Sequence, residues 1–285
     1  MDNLVLKIYD VEYGSCSHII TPRGQHIIID LGSKSNKSIC SHLKNKYFYN
    51  GATIDYLVLT HLHEDHIHDL PKLDIFDINP RILLRPKAAF DLEYKDSDPE
   101  YYKQIVNKAN QLNRTYTSPV LESESPVLSN NNGGVDFAFF SPDEDQYTSN
   151  PNSFSNIIVL KYAGFKIIVT GDNPADILSE MLQRNKTFAE SIRNTSILVA
   201  PHHGRDGEFC EEFVSLANPL VTVFSDGTRR YQTQAYSLMR YANKTRGVTW
   251  NGQQRYVFTT RADGTITFTF HTNGEWAINV SKSEY

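Results

Sequence analysis

The sequence predicts a mixed α/β fold, with one domain spanning residues 1–285. Three observations predict it. Short β runs and amphipathic helical segments alternate from end to end. No Gly/Ser- or Pro-rich linker and no internal repeat divides the chain. Six of the ten histidines fall in two tight groups, each directly after an apolar β run, and strand ends are where layered α/β folds collect their sites.

Composition narrows the class. Apolar residues make up 40% and charged residues 21%, which excludes wholesale disorder, collagen and coiled coil. No stretch approaches 18 uncharged apolar residues, and the N-terminus lacks a basic-then-apolar pattern, so neither a membrane span nor a secretory signal is expected. Cys16, Cys40 and Cys210 form no CxxC pair and cannot make a disulfide framework, which predicts reduced thiols in a cytoplasmic protein. The formal net charge of −5 argues against a protein that is basic all over, while leaving room for a local basic patch.

The elements follow in order. Leu4–Tyr9, Cys16–Thr21 and His26–Asp30 read as strands, the last two joined by the turn Pro22-Arg23-Gly24. Residues 36–48 read as a short helix with Ile39, Leu43 and Tyr47 four apart. Tyr56–Thr60 is a compact β run leading into the first histidine group, and Arg81–Leu84 is a further strand. Asp98-Pro99 predicts a helix start, with Tyr101, Ile105, Ala109 and Leu112 on one face as far as about Arg114. Residues 115–134 read as a polar surface loop, so that about 91–134 forms a polar insertion. Strands are predicted at Val135–Phe140, Ile157–Tyr162, Phe165–Val169, Ser196–Ala200 and 220–224, then at 255–260, 264–270 and 275–280. Helices are predicted at Pro174–Arg184, 208–217 and 232–243.

The chemistry sits at strand ends. Tyr56–Thr60 runs into His61-Leu62-His63-Glu64-Asp65-His66. Histidines at i and i+2 at the mouth of a strand point to the same side, and an aspartate and histidine just beyond can reach a second point nearby. Such a set suits two adjacent divalent metals about 3.5–4 Å apart, and imidazole with carboxylate suits Zn, Mn or Fe. A loop rich in histidine by chance would not be matched elsewhere. Here Thr170-Gly171-Asp172 and Ala200-Pro201-His202-His203-Gly204 also follow strands, and Asp30 with Gly32 ends an early one.

Taken together, the HxHxDH run at 61–66, the TGD at 170–172 and the PHHG at 201–204 resemble the metallo-β-lactamase fold. The similarity is greater to one branch, the soluble hydrolase domain of the DNA-uptake channel protein ComEC/Rec2. That branch carries an early DVGxGd motif, similar to residues 9–15 here. It carries NxxSxVL, similar to 152–160, and a TxxDGxI hairpin, similar to 260–266. The resemblance implies an αββα sandwich with one or two divalent metals, Zn or Mn, at one edge. Carried over residue by residue, His61 and His63 would bind the first metal, and Asp65, His66 and His203 the second. Asp172 would bridge the two. Asp65, Asp172 and His202 would be the catalytic residues, His202 within reach of substrate.

Three departures from the family pattern stand out. No histidine lies between His68 and His202, so the usual third histidine of the first metal is missing. Asn156 or Ser155 stands near that place, and oxygen or water ligation there would shift preference toward Mn. The Gly-Gly that usually follows the DH pair is His68-Asp69, where a packed or metal-orienting His68 is expected rather than a ligand. The branch's YGHP reads Tyr231-Gln232-Thr233-Gln234.

A metal would lower the pKa of water toward about 7, giving hydroxide to attack a carbonyl or a phosphorus, with Asp65 orienting it or taking its proton. Gly227–Ala262 holds seven basic residues and no acidic one, interleaved with Tyr231, Tyr236, Tyr241, Trp250 and Tyr256. Basic charge with aromatic platforms fits a single-stranded nucleic acid or a nucleotide, and a solvated basic face with core tyrosines is the competing reading. Asn156, Arg229, Arg230 and Tyr231 are the candidate substrate residues. The expected function is thus a metal-dependent phosphodiesterase or nuclease. The alternatives are an ester, lactone or thioester hydrolase, or a metal-binding effector needing a protein partner. The acidic loops at 91–100 and 141–145 would serve such a partner. The resemblance admits that role through soluble members in multi-gene bacterial systems, including phage defence.

Overall fold

Apolar residues at every second position build the centre of the molecule. The computed structural model describes residues 3–33, 36–86, 92–143, 150–227 and 234–285, with the backbone alone at Gln234 and Ala235. In β1 (Asn3–Ile8), Leu4, Leu6 and Ile8 point to one face; in β14 (Thr265–His271), Ile266, Phe268 and Phe270 do the same. The two strands pair antiparallel with Leu6 opposite Phe268. Period-2 patterning commits that whole face to the interior.

The first sheet has seven strands in the order β15-β14-β1-β2-β3-β4-β5. Its other members are β2 (Ser17–Ile20), β3 (His26–Ile29), β4 (Tyr56–Val58), β5 (Ile82–Leu84) and β15 (Trp276–Ser281). Pairing is antiparallel from β15 to β3 and parallel from β3 to β5. The second sheet has six strands in the order β13-β10-β9-β8-β7-β6. These are β6 (Asp136–Phe140), β7 (Ile157–Tyr162), β8 (Phe165–Val169), β9 (Ile197–Val199), β10 (Val221–Phe224) and β13 (Val257–Thr259). It is antiparallel over β6-β7-β8 and parallel from β8 to β13. The two sheets face each other across one apolar core.

Helices cover both outer faces. On the first sheet, Ile28, Leu57, Leu59 and Leu83 pack under α1 (Ile39–Lys46), α2 (Glu64–Ile67), α3 (Lys72–Ile75) and α4 (Glu100–Thr115). On the second, Ile157, Val159, Ile168, Leu198 and Phe224 pack under α5 (Ala175–Arg184), α6 (Lys186–Ile192), α7 (Glu211–Ala217) and α8 (Gln234–Ala242). The architecture is the αββα sandwich that the resemblance implied. No helix among the described residues is long and apolar enough to cross a membrane.

Several details differ from the sequence reading. Asp98 does not cap α4; its carboxylate accepts from the Lys95 amide (2.7 Å), and Pro99 stands before the first helical residue. Helix α6 was not anticipated. Its signal is Asn185, which ends α5 and accepts from the Phe188 amide (2.9 Å), but only seven residues follow it. A small hairpin of β11 (Val248–Trp250) and β12 (Gln253–Arg255) was also missed. Residues 260–266 are not a hairpin. They form the single turn α9 (Thr260–Asp263), with Thr259 accepting from the Ala262 amide, followed by β14. Within the polar 91–134 segment, α4 packs Ile105, Ala109 and Leu112 into the core, and Tyr56 pins the following loop by donating to Asn132 Oδ1 (3.1 Å).

Phe268 is fully buried at the centre of the inter-sheet core. Phe268→Ala is expected to lower stability by about 3–5 kcal/mol, measured by urea unfolding. An unchanged midpoint would contradict this account of the core.

Candidate metal centre

Five strand ends converge at one edge of the sandwich. Asp30 follows β3, His61 follows β4, Asp172 follows β8, His202 and His203 follow β9, and Ser225 follows β10. Asp30 adopts φ +61°, a costly conformation for a residue with a Cβ, and it fixes the next loop. Its carboxylate accepts from the Thr60 amide (2.8 Å) and hydroxyl (2.7 Å), and its Oδ2 lies 2.7 Å from His66 Nδ1. Metal-binding histidines are typically oriented through such a carboxylate on the second ring nitrogen.

Asp172 is the hub. Its amide donates to Ser155 Oγ (3.1 Å), which holds the loop against the start of β7. His66 Nε2 lies 3.1 Å from its Oδ1. His203, His202 and His61 present Nε2 to its Oδ2 at 3.5, 3.6 and 3.8 Å. His203 Nε2 also lies 3.2 Å from Asp65 Oδ2 and 3.4 Å from His66 Nε2. His63 is half-buried at the head of α2, with its ring 4.9 Å from that of His61.

Charge is shared within this cluster. Burial opposes charge on His66, but Asp172 and Asp30 outweigh it and raise its pKa well above the usual histidine value. Burial opposes charge on His203 too, and Asp172 and Asp65 again prevail. Asp65 and Asp172 are held below the carboxylate range despite burial, Asp65 by His203 and His66 and Asp172 by His66 and His203. His61 and His63 go the other way, pushed down first by burial, which favours the neutral ring.

The donor set fits divalent ions. Asp65, His66, Asp172 and His203 each offer one ligand atom, all within 4.8 Å of one another. His61 Nε2 is buried without a hydrogen-bond partner while aimed at the same carboxylate, so the protein alone leaves it unsatisfied. Imidazole with carboxylate suits a transition-metal or zinc ion.

The model of the metallo-beta-lactamase superfamily matches residues 10–172, more than half of the chain. The chain belongs to this superfamily. The matched span carries the HxHxDH loop and ends on Asp172, and the chain is accordingly a metal-dependent hydrolase of that group. The fold is shared with YhfI of Bacillus subtilis, a metallo-beta-lactamase fold protein, at 11% identity and a TM-score of 0.52, covering 94% of this chain and all of that one. It is shared with unliganded yeast PDE1 at 12% identity and a TM-score of 0.51, covering 90% and 98%. It is shared also with CmlA, a diiron β-hydroxylase of Streptomyces venezuelae, at 10% identity and a TM-score of 0.50, covering 94% and 54%. No curated protein sequence matches the chain.

Within this superfamily fold, the structure brings His61, His66, Asp172, His202 and His203 together, with Asp65 and His63 at the mouth. His68 lies apart, packed against Tyr101 and paired with Glu64. Asn156 is buried beside the site with both ends of its amide engaged. Nδ2 donates to the Leu59 carbonyl (3.3 Å), and Oδ1 accepts from Ser141 (2.5 Å). Arg229, Arg230 and Tyr231 lie outside the described residues. The other five basic residues of the 227–262 segment are all engaged. Arg240 pairs with Asp206, Lys244 with Glu211, Arg255 with Asp263 and Arg261 with Asp226, while Arg246 donates to the Asn218 and Thr195 carbonyls. Tyr241 is buried and Trp250 packs on Phe258. Glu208, 3.7 Å from His202 Nδ1, and Ser225, whose carbonyl meets His203 Nδ1 at 2.8 Å, carried no sequence signal.

Two predictions follow from this geometry. In metal-free protein the stability contributed by His66 and His203 is fully present below about pH 6.5 and is lost as pH rises through their raised values. That of Asp65 and Asp172 is present above the carboxylate range and is lost only as pH falls through their depressed values. The melting temperature in EDTA is therefore expected to fall as pH climbs past neutrality, and a rise through that window would contradict the charge sharing. Separately, a Cβ on Gly14 (φ +102°) would stand 1.8 Å from the Asp65 carbonyl oxygen. Gly14→Ala should destabilise the protein by about 2 kcal/mol or more and weaken metal binding, measured by unfolding and by metal titration.

Proposed function

We propose that the chain is a metal-dependent phosphodiesterase acting on a nucleic acid or a nucleotide. The observation that carries this reading is the position of Asp172. One carboxylate is approached by His66 at one oxygen and by His61, His202 and His203 at the other, the arrangement of a bridge between two ion sites. His61 and His63 would hold one ion, and Asp65, His66 and His203 the other. Paired ions are a common device for displacement at phosphorus. When bound, zinc or manganese supplies positive charge against phosphoryl oxygens and lowers the pKa of water.

The chain's own residues do the rest. Asp65, at the mouth of the site and held low in pKa, stays ionised and would orient an attacking water as a hydrogen-bond acceptor. Asp30 keeps His66 in one ring orientation, and the Ser225 carbonyl does the same for His203. Among the described residues of the 227–262 segment, Arg240, Lys244, Arg255 and Arg261 all pair with carboxylates, which leaves less charge there to track a long polyanion. That favours a compact diester, a nucleotide or a short strand end, over an extended duplex.

Protein loaded with Mn or Zn is expected to hydrolyse bis(p-nitrophenyl) phosphate and to leave p-nitrophenyl acetate nearly untouched. Asp65→Asn should lower kcat by about 10²–10⁴-fold. Bound metal with no diester turnover, or an Asp65→Asn enzyme at full rate, would sink the reading.

A further inference from the structure

The first ion site lacks a third side chain in the sequence interval where one was expected, because Ser155 and Asn156 are used up in holding loops together. The rings around Asp172 show what replaces it. Each of four histidines turns Nε2 inward to Asp172 and Nδ1 outward to an oxygen. For His61 the outer partner is Thr60 Oγ1 at 3.1 Å, for His66 Asp30 at 2.7 Å, for His203 the Ser225 carbonyl at 2.8 Å. For His202 it is Glu208 Oε1 at 3.7 Å, with Nε2 3.6 Å from Asp172 Oδ2. Donor atoms bound at roughly 2.0–2.2 Å to one tetrahedral ion lie about 3.4 Å apart, so this inner spacing is that of co-ligands rather than of hydrogen bonds. At 3.7 Å the Glu208 contact is an ion-pair distance rather than a hydrogen bond, so His202 Nδ1 is left without a hydrogen-bond partner, while its Nε2, like that of His61, faces Asp172 at more than hydrogen-bond length.

The backbone is bent to achieve this. His202 (φ +48°) and His203 (φ +56°) are both left-handed, and Gly204 (φ +74°) continues the turn. Such a conformation costs roughly 1–2 kcal/mol at each residue bearing a Cβ. Side chains of adjacent residues ordinarily diverge; this turn delivers both imidazoles to one carboxylate. Glycine is required at 204, where a Cβ would meet the Phe224 ring at 2.5 Å.

We propose that His202 is the third imidazole ligand of the first ion, with His61 and His63, and that Glu208 is the positioning residue for its ring. His202 thus acts on the ion rather than as the substrate-facing catalytic group that the sequence suggested. The inference rests on the two-ion part of the proposed function and is independent of the substrate.

Metal-free protein titrated with Co²⁺ and with Mn²⁺, followed by calorimetry and cobalt absorption, tests it without any substrate, so a failed diester assay leaves the result standing. Wild type is expected to bind two equivalents. His202→Ala should keep one at full affinity and lose the other by 100-fold or more, with a changed cobalt spectrum. Glu208→Gln, a milder variant whose fold is checked by circular dichroism, should weaken the same equivalent about 10- to 100-fold. Asp65→Ala should weaken the opposite one. Two equivalents bound at wild-type affinity by His202→Ala, or a single equivalent in wild type, would overturn the proposal.

Discussion

A fully buried carboxylate dictates the design of this edge of the molecule. Asp172 sits where an isolated charge would cost several kcal/mol, and it is stabilised by imidazoles brought from the ends of β4 and β9. Those rings must arrive from opposite sheets, so the two sheets have to close at that edge in one register. Thr60 and Asp30 lock the β4 side; Ser155 locks the β8 side. The left-handed turn at His202-His203 is the strain that this convergence requires, and Asp30 carries the same kind of strain on the first sheet.

Without ions the cluster is held by protons. His66 and His203 carry them, and Asp65 and Asp172 receive their charge. A divalent ion held here would have to displace those protons, which would couple its affinity to pH. The neutral, unsatisfied His61 shows that proton sharing is incomplete on the other side of Asp172. The cluster is therefore asymmetric: one half is compensated by its own charges, and on the other His61 Nε2 has no protein partner.

Legibility in the sequence followed the range of each interaction. The strands showed because alternation at Leu4, Leu6 and Ile8 or at Ile266, Phe268 and Phe270 is a local signal. The HxHxDH loop, Asp172 and His203 showed because their spacing reports strand ends. Glu208 and the Ser225 carbonyl did not show, because each meets its histidine only through the packing of a later segment. Helix α6 was hidden by brevity, and Asp98 was misread because its carboxylate had a nearer amide at Lys95. The role of His202 needed backbone angles that no side-chain pattern encodes.

Among the described residues, charge density along the chain does not translate directly into free surface charge. The segment from 227 to 262 carries seven basic residues, yet Arg255 and Arg261 close onto Asp263 and Asp226, and Arg240 closes onto Asp206 while stacking on Phe209. These arginines serve as fasteners between α8, β12, α9 and the loops before them. In the proposed function, positive potential for a phosphate would come in part from the metal pocket itself, where two divalent ions would exceed the charge of Asp65 and Asp172. Among the described residues, that pairing of basic side chains with carboxylates is what the proposed preference for a compact diester rests on.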